Sequence, residues 1–251
     1  MCWSGEASAV LAAVGLGSTL WASTKGKAPA ALWMPLGYFS LMELLQAFTY
    51  QYIDQCGVPE NQVATLLGWL HIAFQPFFIN LLSLHFIRQD IAKKVAPWAY
   101  AACFAAAMIM IIHVYPFPGA GHCEVGKYFC GDVLCSVHGN WHIAWNIPFN
   151  SWYDSGFLNP GGTLANITML KHIYLPYFLV AFIVPLLYGS WRLTLYQFLV
   201  GPILASTLTD NLNESPAIWC LLSIGILLIV VKTGFRKMLY VRTWPLWPKN
   251  A

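Results

Sequence analysis

The residues of this chain best equipped for chemistry are histidines and cysteines crowded into one stretch. His122, Cys123, Cys130, Cys135, His138 and His142 all fall in the 118–162 segment, which carries the aromatic, amide-rich run WHIAWNIPFNSWY. A connection longer than about 12–15 residues is usually either functional or disordered. Disordered segments are poor in aromatics, so this one reads as a folded, functional loop. His138 and His142 form an H-x-x-x-H pair. On a helical turn that spacing sets two imidazoles on one side, an arrangement suited to zinc, copper or iron. A zinc knuckle from Cys123, Cys130 and Cys135 fits less well, because their separations lack the C-x2-C pair of structural zinc sites. Disulfides are the expected use.

A second set of polar groups interrupts long apolar runs: Glu43 and Gln46, His71, Gln75 and Asn80, His113, Lys171 and His172, and Asp210 with Asn211. Ionisable groups within membrane spans are costly and face the bundle interior or a wet cavity, so each is a functional candidate. His71, His113, His122, His138, His142 and His172 are the candidate metal ligands. Glu43, Asp210 and Lys171 are the candidate acid, base or charge-balancing groups. Glu43, Gln46 and Tyr50 stand at i, i+3 and i+7 and share one helical face, as do His71 and Gln75 at i and i+4. Each has a plainer reading. His71 and Gln75 can be hydrogen-bond glue between helices, Glu43 a carboxylic acid bonded to a neighbour, Lys171 a snorkelling or pairing cation, and Asp210 a helix-end residue.

The elements that position these groups follow from composition. With 58% hydrophobic and 9% charged residues among 251, the chain lies far from the roughly 25% charged of soluble domains. It reads as a single transmembrane domain over residues 1–251. The net charge of +3 gives no ground for a nucleic-acid partner, leaving the bilayer, a small or lipid-soluble substrate and membrane-complex subunits. A spanning helix needs about 20 mostly apolar residues. Stretches near 7–24, 31–53, 63–87, 96–117, 163–188, 193–212 and 216–234 qualify, predicting an all-α bundle of about seven transmembrane helices.

Basic residues alternate between the connections. Lys25 and Lys27 follow the first stretch, Arg88, Lys93 and Lys94 the third, Arg192 the fifth, and Lys232, Arg236, Lys237, Arg242 and Lys249 the seventh. The positive-inside rule makes that side cytoplasmic. The N-terminus and the 118–162 loop then lie outside, on a periplasmic, extracellular or lumenal face. Cys2, Cys56, Cys123, Cys130 and Cys135 share that side, where an oxidising compartment permits one or two disulfides; the pairing is open. Pro35, Pro76, Pro176, Pro185 and Pro202 predict kinks or local unwinding.

Several segments are specific enough to carry a resemblance: MCWS, GYFSLMELLQA, HIAFQPFFIN, GHCEVG followed by CG, HIAWNIPFN and PAIWCLLSIGILL. On these the chain resembles an uncharacterised family of multi-pass membrane proteins over nearly its whole length, which implies a shared fold and no particular activity. HGNWH also resembles the H-x-x-x-H pair of alkaline ceramidase-like seven-span hydrolases, which hold zinc with histidines. Their pair lies in the last span, whereas His138 and His142 precede three more. Three functions follow as expectations: a membrane metalloenzyme, hydrolase or oxidoreductase, acting on a small or lipid-soluble substrate; a structural or assembly subunit of a membrane complex; and a proton-coupled transporter or channel.

Overall fold

The computed structural model describes residues 3–123, 128–151 and 174–247. Helix α1 (Gly5–Thr24) starts at Ser4, whose hydroxyl accepts the Ala7 N–H and so satisfies one of the donors a helix start leaves free. Helices α2 (Ala30–Thr49), α3 (Pro59–His85) and α4 (Gln89–Val114) follow. Pro59 opens α3 at a position where a missing N–H costs nothing. Helix α5 (Leu175–Leu187) is short and apolar. Helix α6 starts as Trp191–Phe198 and ends as Leu204–Leu208, α7 spans Ser215–Lys232, and α8 is the single turn Arg236–Leu239.

Helices α1, α3, α4 and α7 are long and apolar enough to cross a membrane, which marks a membrane protein. Helix α4 begins seven residues before its predicted start. Its first two turns carry Asp90, Lys93 and Lys94, a charged lead-in that an apolar window excludes. Pro35 and Pro76 sit inside continuous helices, whereas α5 and α6 each widen to a π-turn, over Leu179–Ile183 and Leu199–Ile203. The first lies between Pro176 and Pro185, and the second contains Pro202.

Helix α2 is central, packed against α1, α3 and α7. Close approach to α1 depends on Gly15, where a Cβ would stand 2.0 Å from the Ser40 hydroxyl.

The all-α expectation needs one correction. The 118–162 loop contains an antiparallel hairpin, β1 (Cys135–His138) with β2 (Ile143–Asn146), in register Ser136 with Trp145 and His138 with Ile143. Gly139 and Asn140 begin its turn, a combination that favours hairpin connections. Strands of four residues sit at the lower limit of the alternation signal, and β2, IAWN, does not alternate.

The hairpin is docked rather than suspended. Asn61 on α3 donates to the carbonyls of Tyr52 and Ser136, both at 2.8 Å, and accepts the Ser136 N–H at 2.9 Å. Asn150 donates to the carbonyls of Ile112 and Tyr115, capping the C-terminal turn of α4. Beneath this cap Trp69 is 1% exposed and meets Phe129, Phe149 and Tyr174 edge to face. Two disulfides complete it, Cys56–Cys135 and Cys123–Cys130. These use up the cysteines weighed as zinc ligands, while Cys2 lies outside the described residues.

Candidate functional site

The predicted H-x-x-x-H pair does not share a helical face, because His138 ends β1 and His142 precedes β2 across the hairpin turn. The ground for the ceramidase-like analogy goes with it. His138 faces outward and bonds Asp54 through both its ring Nδ1 and its backbone N–H. Burial works to raise the Asp54 carboxyl, and the bonds from the His138 ring and N–H outweigh it, holding it below the usual range.

His142 turns inward and is fully buried. Its Nδ1 accepts the Ile143 N–H at 2.8 Å and lies 3.1 Å from the Tyr50 hydroxyl. The neutral ring therefore carries its proton on Nε2, which has no partner. A nitrogen in that state is a donor, not a metal ligand. Burial holds this imidazole down at about 3.

The other histidines go separate ways. His113 bonds the Tyr174 hydroxyl, His71 stacks on Tyr38 at 4.0 Å, and His122 is exposed in a bridge to Asn150. His172 lies outside the described residues, as does Lys171. Among the described residues no group of three or more His, Cys, Asp or Glu side chains stands together in a way that could hold a metal. Asp210 is exposed in the turn before α7. Glu43 is the one predicted acid found deep inside, fully buried, and neither carboxylate oxygen has a hydrogen-bond partner.

What the fold does build is a cavity of about 310 Å³ below the cap. Its walls come from α3, α4, α5, α6 and α7, with Tyr128 and Phe129 of the loop as its roof. Ile72, Met110, Phe182, Phe198 and Trp219 make it predominantly apolar. One polar chain enters it: the Tyr177 hydroxyl donates to Gln75 Oε1 at 2.9 Å, and Gln75 Nε2 donates to Cys220 Sγ at 3.2 Å. Ser206 and Ser215 add two hydroxyl-bearing side chains. Both π-turns border the space, through Phe182 and through Pro202 and Ile203, and such bulges recur at functional sites. Of these residues only Gln75 stands out in the sequence. The rest are apolar or aromatic, and the one available signal is the density of aromatics on α5, α6 and α7.

The family model described as "Family of unknown function (DUF5765)" matches residues 6–240. No match was found among curated proteins or solved structures.

Proposed function

The chain belongs to the family of unknown function DUF5765, and from that premise we propose that it is a seven-span membrane protein that binds a lipid-soluble small molecule under its disulfide-stapled outer cap. The cavity carries the reading. Ligand sites are concave, mostly apolar spaces of about 300–1,000 Å³ with a few convergent polar groups, and this one has 310 Å³ with the Tyr177–Gln75–Cys220 chain on its wall. A ring-bearing apolar molecule with one carbonyl or hydroxyl suits it. The aromatic faces of Trp219 and Phe182 take the ring, and the second N–H of Gln75 takes the oxygen.

Two independent features support an outward-facing cap. Cys56–Cys135 sits at the Pro59 end of α3, and disulfides persist in oxidising compartments. Arg88, Lys93 and Lys94 follow the opposite end of the same helix, as cytoplasmic loops favour.

The test is organic extraction of the detergent-purified protein followed by mass spectrometry, alongside Ser206→Trp, which fills the cavity. A bound apolar compound, present in the wild type and lost in a variant of unchanged melting temperature, is expected. Equal amounts in both proteins, or none in either, would sink the proposal.

A further inference from the structure

The polar groups that the cavity does not use form a second site on α2. Glu43 and Gln46 lie one turn apart and are 0% and 1% exposed, yet both carboxylate oxygens and both amide atoms lack a hydrogen-bond partner. Buried polar groups are nearly always paired, so four orphaned atoms in adjacent side chains call for a functional account.

The same face of α2 continues to Tyr50, whose hydroxyl reaches His142, and the Nε2–H of His142 is a fifth buried atom without a partner. Above these, Trp3 lies over the His142 ring at 5.8 Å and donates to Ser8. Ser8 on α1 is a hydrogen-bonding neighbour of Glu43, at a geometry too poor to pair either carboxylate oxygen. A groove of about 600 Å³ between the start of α1 and the end of α2 opens at Tyr50 and Gln51. The groove reaches Tyr50, and Gln46 and Glu43 follow one and two turns further along the same face.

We propose that Glu43 is a proton-binding site that exchanges with the outer face along this track. An isolated carboxylate is costly in a membrane interior, and the described residues bring no cation to it. Among the described groups around it are Tyr50 just past the end of α2, His142 on the hairpin, Glu214 beyond Tyr50, His71 on the adjoining α3, and Cys220 on α7. None is positively charged when His71 and His142 are neutral. Tyrosine hydroxyl and imidazole groups, with intervening water, are the kinds that pass a proton along. Uptake forms one O–H bond on a Glu43 oxygen and breaks one on hydronium from the outer water, with no change of oxidation state. Cys220 lies within the field of Glu43 and also lines the cavity. The proton site itself stands without the proposed ligand.

Infrared difference spectroscopy of the purified full chain, stepped between neutral and acidic pH, tests this directly. The carbonyl stretch of a protonated acid should rise on acidification in the wild type, shift in Glu43→Asp and be missing in the near-isosteric Glu43→Gln. After a pH jump, Tyr50→Phe combined with His142→Phe should slow its appearance at least about tenfold. A band that survives in Glu43→Gln would overturn the site. So would a band removed at constant pH by adding sodium or calcium ions, which would make it a metal-cation site. Unchanged kinetics in the double variant would overturn the track.

Discussion

A Cβ on Gly139 would stand 2.6 Å from the carboxyl carbon of Glu214, so the hairpin turn and the start of α7 are fitted to each other through the one residue without a side chain. The contact is close because Glu214 Oε1 accepts the backbone N–H groups of both Trp141 and His142. Its Oε2 accepts the Thr209 hydroxyl at 2.5 Å. A fully buried carboxyl group that takes three donors has its hydrogen bonding met inside the protein. Gly139→Ala should therefore lower stability by about 1–3 kcal/mol through overpacking, and Glu214→Ala by at least as much, because it leaves the turn's N–H groups unpaired. Thermal unfolding in detergent, followed by tryptophan fluorescence, reads both. A wild-type melting temperature in Gly139→Ala would show that the turn is not held against Glu214.

The two disulfides should differ in their effect. Cys56–Cys135 closes a separation of 79 residues and Cys123–Cys130 one of 7. In the loop-entropy account the long loop gains about 4.5 kcal/mol and the short one about 2.5 kcal/mol. Cys56→Ser with Cys135→Ser should cost more melting temperature than Cys123→Ser with Cys130→Ser. The reverse order would mean that native contacts, not chain closure, dominate in the cap.

The helices were legible because apolar length is a local property: α1, α3 and α4 are all found where the runs predict them, apart from the charged lead-in of α4. The shared face of Glu43, Gln46 and Tyr50 was legible for the same reason, since it needs only the helical period. The histidine cluster was not. The described histidines of the cluster found partners remote in the sequence, His138 with Asp54 across 84 residues and His113 with Tyr174 across 61, and spacing along one chain cannot announce such pairs. The cavity was hidden more deeply still. Phe129, Tyr177, Phe182 and Trp219 have the composition of ordinary core, and the pocket they line is bordered by the π-turns of α5 and α6, which no local pattern announces.

Acid should destabilise the cap through His142. Its folded imidazole is held at about 3 against an ordinary 6.5, so the unfolded chain binds the extra proton. The neutral ring's contribution is complete above pH 6.5 and is lost as pH falls from 6.5 toward 3, on the order of a few kcal/mol. Asp54 acts in the same direction in a lower window: its carboxylate is favoured by folding above its ordinary 3.8, and that advantage fades below it. Melting temperature measured against pH should fall less steeply between 6.5 and 3 for His142→Phe than for the wild type, with the drop below about 3.8 remaining until Asp54→Asn removes it. Parallel curves for wild type and His142→Phe would remove His142 as the cause.

Asn80 should be the costliest polar residue to lose from the interior. It is fully buried. Its Nδ2 donates to the Pro76 and Val180 carbonyls at 2.9 Å each and lies 3.3 Å from Cys103 Sγ, while its Oδ1 accepts the Tyr188 hydroxyl at 2.9 Å. Val180 belongs to the π-turn Leu179–Ile183, where widened hydrogen bonding disturbs the ordinary carbonyl pairing of a helix. Asn80 thus fastens α3 to the bulge that forms one wall of the cavity. Asn80→Ala leaves the Tyr188 hydroxyl and the Val180 carbonyl short of a partner and removes packing, a loss of about 2–4 kcal/mol. If the π-turn depends on this bond, the variant should also retain less of the bound apolar compound than Thr65→Ala, whose lost contact with Ser136 lies in the cap. Equal retention in the two variants would show that the bulge is held by the packing of Phe182 on Trp219 rather than by Asn80.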